Sequence, residues 1–277
     1  MLLPKSWAVF FCLGTISLGG DMKYIYTEIK AKNNDIIRGV LNTPDSFDKN
    51  KKYKSLIFYH GLMDDRNGIN YMSIQQAKYL TAAGYLVFRF DFRGCGESEG
   101  SFFDLTFTRQ IEDSFIIYDW VKENNFVDNE NIYIRAHSMG GAVAIKTAAD
   151  KNPKGLILYA PGSNYSIQNS NLIRTLDEKI KSQAAAEKDL GGLKISAKIA
   201  EDSKKYDFLE IAKTYKGKVL IVRGDKDPVI DRKSVENLSK SFKNANYQEI
   251  KNLGHSFTNY EKRLEIFELT NRFMEEK

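Results

Sequence analysis

The sequence has few of the residues that build disulfide frameworks and metal centres. Its 277 residues include two cysteines, Cys12 and Cys95, and three histidines, His60, His137 and His255. One cysteine lies in an apolar segment and the other in a glycine-rich loop, so no disulfide framework is expected. No two histidines have the spacing of zinc ligands on one helix. The sequence therefore predicts no metal site and no cofactor.

Long apolar runs and basic stripes are also absent. The net charge is +5, but the lysines are scattered and no aromatic residues interleave with them, which argues against nucleic-acid binding. The apolar run over residues 7–18 follows Lys5 and is too short for a stable membrane span. It resembles a secretory signal and favours export, with residues 1–21 removed. The alternative is a spurious leader on a cytoplasmic protein that starts at Met22.

The remaining chain alternates apolar strand-like runs with helical patterns. Residues 22–277 are long enough for one α/β domain. An antiparallel strand pair is predicted first, at 23–30 and 36–42. Further predicted strands lie at 55–60, 85–90, 132–135, 155–159, 219–222 and 246–250, and helices at 71–83, 106–124, 139–149, 231–243 and 259–275. Such alternation predicts an α/β fold with a mostly parallel central sheet and helices on both faces.

The alternation stops over residues 164–213, which are polar and rich in lysine, serine and alanine. This segment is predicted to be a small helical cap inserted at the carboxyl ends of the strands, where open α/β sheets bind ligands. The alternative is a helical excursion on the surface that has no function.

The candidate nucleophile is Ser138, at a predicted strand-to-helix turn. Ala136 and Gly140 flank it at the positions of the G-x-S-x-G motif, with alanine in place of the first glycine. Small neighbours are needed because the strained turn brings the serine close to the adjoining strand and helix. The alternative is a serine that only caps the following helix.

A serine nucleophile needs a base, and the base needs a carboxylate. Of the three histidines, His255 remains as the candidate base. The side chain of His137 should point away from its neighbour Ser138, and His60 is expected to contribute through its backbone. Asp227 and Asp225 compete for the carboxylate role. Asp227 is favoured because the following proline fixes an extended backbone, whereas Asp225 is better placed to stabilise the turn.

Two backbone N–H groups are predicted to form the oxyanion hole. Met139 follows the nucleophile at the start of its helix, where free N–H groups favour negative charge. Leu62 follows Gly61, which lets the chain turn sharply after a buried strand.

With these motifs in place, residues 23–275 resemble the α/β-hydrolase superfamily of serine hydrolases. His60-Gly61 is similar to its oxyanion loop, and the segment 91–98, DFRGCGES, is similar to its D-x-R-G-x-G-x-S loop. The order Ser138, Asp227, His255 is also the superfamily's order. Within it, the chain looks most like the bacterial cinnamoyl/feruloyl esterases, from the layout around the D-x-R-G loop, the N-terminal strand pair and the cap after residue 162.

The resemblance implies a serine esterase that cleaves small-molecule carboxylic esters through an acyl-enzyme, with cinnamoyl or feruloyl esters as one substrate class. A monoacylglycerol lipase, a thioesterase or a serine aminopeptidase on the same fold are alternatives, since fold does not fix substrate. A ligand-binding member without catalysis is a further alternative, although it has no need of all three catalytic groups. The oligomeric state does not follow from the sequence.

Overall fold

The strands of the protein form one large sheet and one small hairpin in the computed structural model, which describes residues 16–17, 23–32, 34–182 and 187–276. Within these ranges the large sheet has nine strands in the order β1-β2-β3-β5-β4-β6-β7-β10-β11, and β8 and β9 form the hairpin. In chain order, the strands are β1 Ile16–Ser17, β2 Lys23–Lys30, β3 Ile36–Thr43, β4 Tyr53–Tyr59, β5 Leu86–Phe90, β6 Val127–His137, β7 Gly155–Tyr159, β8 Glu187–Asp189, β9 Lys194–Ser196, β10 Lys218–Gly224 and β11 Ala245–Ile250.

The sheet is antiparallel at one side and parallel over the rest. β1, β2, β3 and β5 pair antiparallel in succession. β5, β4, β6, β7, β10 and β11 are then all parallel neighbours. Every residue of β5 and β7 is buried, as expected for strands covered on both faces. The predicted α/β fold with a mostly parallel sheet is therefore confirmed.

Helices pack around the sheet, and six of the described ones fall into two packed groups. In chain order, they are α1 Met72–Ala82, α2 Phe107–Lys122, α3 Met139–Lys151, α4 Asn164–Gln168, α5 Asn171–Lys181, α6 Lys198–Ser203, α7 Phe208–Thr214, α8 Arg232–Ser241 and α9 Tyr260–Glu275. α1 packs against α9, whereas α2 packs against α3, α3 against α7 and α7 against α8. None of the described helices is both long and apolar enough to cross a membrane.

The segment between β7 and β10 holds α4 to α7 and the β8–β9 hairpin. The hairpin was not predicted, because its three-residue strands are largely polar and have no extended apolar alternation. Its turn contains Gly191 and Gly192, both with positive φ, the backbone region that glycine adopts without strain. α7 packs against α3 and α8 of the main body, and α6 packs against α2. The name cap is kept here for α4 to α6 with the hairpin.

One buried carboxylate attaches this cap to the main body. The side chain of Asp202 in α6 accepts hydrogen bonds from the Thr108 N–H at 2.8 Å and the Thr108 hydroxyl at 2.7 Å. Thr108 lies in the first turn of α2, so the carboxylate satisfies a free N–H and lies at the positive end of the helix dipole.

The predicted leader, residues 1–21, lies outside the described residues apart from the two residues of β1. Ile16 and Ser17 pair with Tyr24 and Lys23 of β2 and extend the sheet at its antiparallel side.

Candidate active site

Four loops meet where the parallel strands end. β4 leads into His60–Leu62, β6 into Ser138, β10 into Asp227, and β11 into His255. Because these strands run parallel, their carboxyl ends lie along one edge of the sheet, here called the carboxyl edge. Residues far apart in sequence are thus brought together on short loops that begin from buried strands.

The turn at Ser138 has the backbone of a strained strand-to-helix junction. Ser138 has φ 53° and ψ −123°, and its side chain makes no capping hydrogen bond to α3. Its carbonyl oxygen accepts hydrogen bonds from the N–H groups of Gly141 at 2.9 Å and Gly162 at 2.8 Å. The helix-capping alternative for this serine therefore does not hold, and the backbone itself keeps the turn in place.

The small residues around Ser138 are required by close backbone contacts. A Cβ on Gly140 would lie 2.4 Å from the carbonyl oxygen of His60. Ala136 is fully buried between β4 and β7, opposite Tyr59 and Leu158. The motif's steric demand is thus strict at Gly140, while alanine fits at the position where the motif usually has its first glycine.

Ser138, His255 and Asp227 form a hydrogen-bonded chain, here called the triad. The Ser138 Oγ lies 2.9 Å from Nε2 of His255, and Nδ1 of His255 lies 2.9 Å from Oδ2 of Asp227. A carboxylate only accepts hydrogen bonds, so Nδ1 carries the proton and Nε2 is free to accept the serine proton. The structure brings these three sequence-predicted residues together, and their catalytic roles remain predictions.

The Asp227 carboxylate is buried and held in its ionised form. Its Oδ1 accepts N–H groups from Val229 at 2.8 Å and Ile230 at 2.9 Å. Burial alone would raise the pKa of Asp227, but the hydrogen bond from His255 and these two N–H groups outweigh it and lower the pKa below its ordinary value. The competing Asp225 instead accepts a long bond from the Leu253 N–H at 3.4 Å, which fits its predicted role in the turn.

The predicted oxyanion donors lie beside the serine. Leu62 and Met139 line the same cavity as Ser138. A Cβ on Gly61 would lie 3.2 Å from the Cβ of Ser138, so the loop before Leu62 passes close to the candidate nucleophile. Within the described residues neither the Leu62 nor the Met139 N–H has a hydrogen-bond partner, and both remain available to an oxyanion.

Sequence reasoning missed His137, whose side chain supports the candidate base. Its side chain turns away from Ser138, as predicted, but its ring lies 5.0 Å from the ring of His255, centroid to centroid. Its Nε2 lies 3.0 Å from the backbone carbonyl oxygen of His255. Since a carbonyl only accepts, Nε2 carries the proton and donates. Burial, with the nearby charges of His255 and Arg135, lowers the pKa of His137 to about 3, so the ring stays neutral.

The side chain of His60 was also missed, because only its backbone was considered. The Phe92 N–H donates to Nε2 of His60 at 3.0 Å, and Nδ1 lies 2.9 Å from the carbonyl oxygen of Gly61. Nδ1 therefore carries the proton and donates to that carbonyl. His60 thus joins the oxyanion loop to the D-x-R-G loop. All three histidines of the chain lie at the carboxyl edge, a convergence that their low number alone could have suggested.

The D-x-R-G loop itself is structural. Its Asp91 is fully buried and accepts the backbone N–H groups of Arg66 at 2.6 Å and Glu97 at 2.9 Å, as well as the Arg66 guanidinium. Arg93 pairs with buried Asp113 of α2. These contacts fix the position of the loop that binds His60. The loop contributes no catalytic group to the site.

An apolar cavity of about 130 Å³ lies beside the serine. The main body contributes Leu62, Phe107 and Met139, and the cap contributes Ile167, Ile173 and Ile199. No described lining residue is charged. No group of three or more histidine, cysteine, aspartate or glutamate side chains in the described parts of the chain could hold a metal ion.

The fold and this site define an α/β-hydrolase of the serine hydrolase class, as predicted. A family model for the serine aminopeptidases, S33, matches residues 50–210. The chain belongs to this family.

Curated relatives match part of the chain. A lysophosphatidylserine lipase, ABHD12, from Danio rerio is 33% identical over 114 residues, which are 39% of this chain and 28% of the relative. An uncharacterised 31.7 kDa protein from Escherichia coli is 29% identical over 121 residues, 44% of this chain and 41% of the relative. The chain thus matches less than half the length of these relatives.

Among solved structures, ferulic acid-bound Est1E from Butyrivibrio proteoclasticus has a TM-score of 0.78 at 23% identity, covering 90% of this chain and 97% of Est1E. An α/β-hydrolase, GrgF, from a Penicillium species has a TM-score of 0.74 at 18% identity, covering 90% of this chain and 96% of the other. At these identities the similarity shows a shared fold.

Proposed function

We propose that this hydrolase cleaves carboxylic esters by acyl transfer through Ser138. The single observation that carries the proposal is the hydrogen-bonded chain from Ser138 through His255 to Asp227, with both distances at 2.9 Å. The triad's tautomer supports it too, since the proton on Nδ1 leaves Nε2 to accept from the serine.

In the first step, the Ser138 Oγ attacks the ester carbonyl carbon and its proton passes to Nε2 of His255. Asp227 stabilises the resulting imidazolium, and the N–H groups of Leu62 and Met139 bind the oxyanion. The bond from carbon to the alkoxy oxygen then breaks, and His255 returns the proton to the departing alcohol. In the second step, His255 takes a proton from water, the hydroxide oxygen attacks the acyl-enzyme, and the acid leaves as Ser138 regains its proton.

The lining of the cavity favours an ester over the peptide substrate of an aminopeptidase. A substrate with a free α-ammonium group needs a carboxylate or similar partner once it is removed from water. The described lining residues provide no carboxylate. A non-catalytic receptor is disfavoured because the serine and the histidine are held at hydrogen-bonding distance in the orientation that catalysis needs.

The test is hydrolysis of p-nitrophenyl butyrate by the wild type, Ser138→Ala and Ser170→Ala. Ser170 also lines the cavity, but its hydroxyl accepts the Ile173 N–H and caps α5. We expect Ser138→Ala to lose about 10⁴-fold to 10⁶-fold in kcat. Ser170→Ala should lose some stability with its helix cap but stay within about tenfold of the wild type in kcat, because the Ser170 hydroxyl is not part of the triad. Wild-type turnover by Ser138→Ala would contradict the proposal. Parallel assays on aminoacyl p-nitroanilides and acyl-CoA would identify a peptidase or a thioesterase instead.

A further inference from the structure

Phe257 lies two residues after His255 and has a strained backbone. Its φ is 48° and its side chain is fully buried. Among the described non-glycine residues with positive φ, Phe257 alone buries a large side chain. The left-handed region is unfavourable for a bulky residue, and such strain persists only where the surroundings hold it. The packing of this loop must therefore favour the left-handed turn.

The ring of Phe257 packs between two rings that belong to the central sheet, in what is here called the slot. Its centroid lies 6.0 Å from that of His137 and 5.8 Å from that of Tyr159, at interplanar angles of 62° and 60°. His137 ends β6 and Tyr159 ends β7, and the two are paired neighbours in the sheet. The Tyr159 hydroxyl accepts the side-chain N–H of Gln76 in α1 at 2.7 Å, which fixes one wall of the slot. The side chain of Phe257 is thus anchored to the sheet.

The backbone of Phe257 closes the turn that contains His255. Its N–H donates to the carbonyl oxygen of Gly254 at 3.3 Å, and its carbonyl oxygen accepts a hydrogen bond from Nε of Arg263 at 2.7 Å. Arg263 is itself buried. His255 therefore lies in a turn whose last residue is held through its N–H, its carbonyl and its ring.

The candidate base has little freedom to move if the triad is to work. Nε2 and Nδ1 of His255 each lie 2.9 Å from their partners, the Ser138 Oγ and the Asp227 Oδ2. Misplacement of a catalytic group by about 1 Å can cost about 10²-fold in rate. Without a ring in the slot, the backbone at Phe257 can relax to a negative φ, and the turn that presents the imidazole then changes shape.

We propose that Phe257 is a positioning residue for the reaction at Ser138: its ring, held in the slot, maintains the left-handed turn that directs His255 towards the serine. The inference rests on the proposed acyl transfer through Ser138. It adds a side-chain anchor to the hydrogen bond between His137 and the His255 carbonyl.

The experiment compares the wild type with Phe257→Ala, Phe257→Leu, Phe257→Gly and Phe267→Ala. Each protein is assayed for kcat and KM on p-nitrophenyl butyrate, for the rate of fluorophosphonate labelling at Ser138, and for its melting temperature. Phe267 of α9 is the matched control, because it is also buried, at 1% exposed, but its ring pairs with Tyr79 of α1. Phe257→Leu keeps much of the apolar volume and provides a folded variant if Phe257→Ala does not fold.

Phe257→Ala should lose about 10-fold to 100-fold in kcat and Phe257→Leu about 3-fold to 10-fold, with KM within about twofold of the wild type. Labelling of Ser138 should slow in the same order, because it needs the same base. Phe257→Gly should exceed Phe257→Ala by about threefold or more in kcat, because glycine adopts the left-handed backbone without strain. Phe267→Ala should lower the melting temperature, as a buried cavity does, and keep kcat within about twofold of the wild type.

Wild-type kcat and labelling rates in the folded Phe257 variants would overturn the inference. A Phe267→Ala protein that loses as much kcat as Phe257→Ala would overturn it too, as would a Phe257→Gly protein no faster than Phe257→Ala. These outcomes leave ester hydrolysis standing. No ester turnover by the wild type would overturn the proposed function instead, and the labelling rates would still test Phe257. A wild-type Ser138 that is not labelled would overturn both.

Discussion

The carboxyl edge of the sheet and the cap above it are built in different ways. At the edge, each triad residue follows a strand with a buried end, and its position is fixed by backbone contacts, such as those of the Ser138 carbonyl with Gly141 and Gly162. The cap, from α4 to α6 with the hairpin, consists of helices and short polar strands. Side chains such as Asp202 attach it to the main body. The triad residues are therefore held mainly by backbone contacts next to buried strands, whereas the cap is attached to the main body by side-chain contacts.

This difference predicts how each region should respond to amino-acid substitutions. A change in the triad should lower kcat by orders of magnitude and leave substrate preference unaltered. A change in the cap should alter preference or local stability and leave the chemistry intact.

At the carboxyl edge, Asp227→Asn is expected to have the largest effect on kcat. An amide cannot fix the proton on Nδ1 of His255, so the imidazole can adopt the tautomer that no longer accepts the serine proton, and kcat should fall by about 10⁴-fold. Asp225→Asn, two residues earlier, should stay within about tenfold of the wild type, because within the described residues its carboxylate accepts just the long bond from the Leu253 N–H. Similar losses in the two variants, measured as kcat on p-nitrophenyl butyrate, would contradict the choice of Asp227.

The loss of kcat/KM in acid should involve the binding of one proton to the enzyme. The two side chains that hold the candidate base should keep their charge states in mild acid. The carboxylate of Asp227 stays ionised there, because its pKa is below the ordinary value, and His137 stays neutral, because its pKa is about 3. A reversible acid limb of unit slope in a pH–rate profile supports this account, whereas a slope of two would show that a second group titrates.

A smaller loss is expected from His137→Phe, which keeps an aromatic ring beside His255 but removes the hydrogen bond to its carbonyl. Misplacement of the base by a fraction of an ångström should lower kcat by about 10-fold to 100-fold, with KM within twofold. His137→Gln can still donate from its amide and should recover most of the loss. If His137→Gln loses as much kcat as His137→Phe, a donor at this position does not restore His255, which would contradict the proposed role of the hydrogen bond.

The smallest effect is expected from Asp202→Asn in the cap. Loss of the charge at the start of α2 should cost about 1 kcal/mol and speed proteolysis of the cap. The exposed neighbour Glu201 provides the control Glu201→Gln. Turnover of p-nitrophenyl acetate should stay within twofold of the wild type in both variants. A hundredfold loss for Asp202→Asn would show that the cap takes part in the chemistry.

The same contrast explains what could be predicted from the sequence. The buried strands and the loops after them have short, strong signals, because a turn such as Ala136–Gly140 permits few residue types. The cap has no such constraint, so its hairpin was missed. The roles of His60 and His137 were missed for another reason: their hydrogen bonds cross between loops 32 and 118 residues apart, and sequence spacing has no information on such contacts.

The central claim, that Ser138 is the activated nucleophile, is tested most directly by covalent labelling. The wild-type protein is treated with a fluorophosphonate, and the modified residue is identified by peptide mass spectrometry, with Ser138→Ala and Asp227→Asn treated in parallel. The account predicts one adduct, on Ser138, that is absent from Ser138→Ala and forms more slowly in Asp227→Asn. An adduct on Ser170 or another serine, or an unmodified Ser138 in the folded wild-type protein, would contradict it.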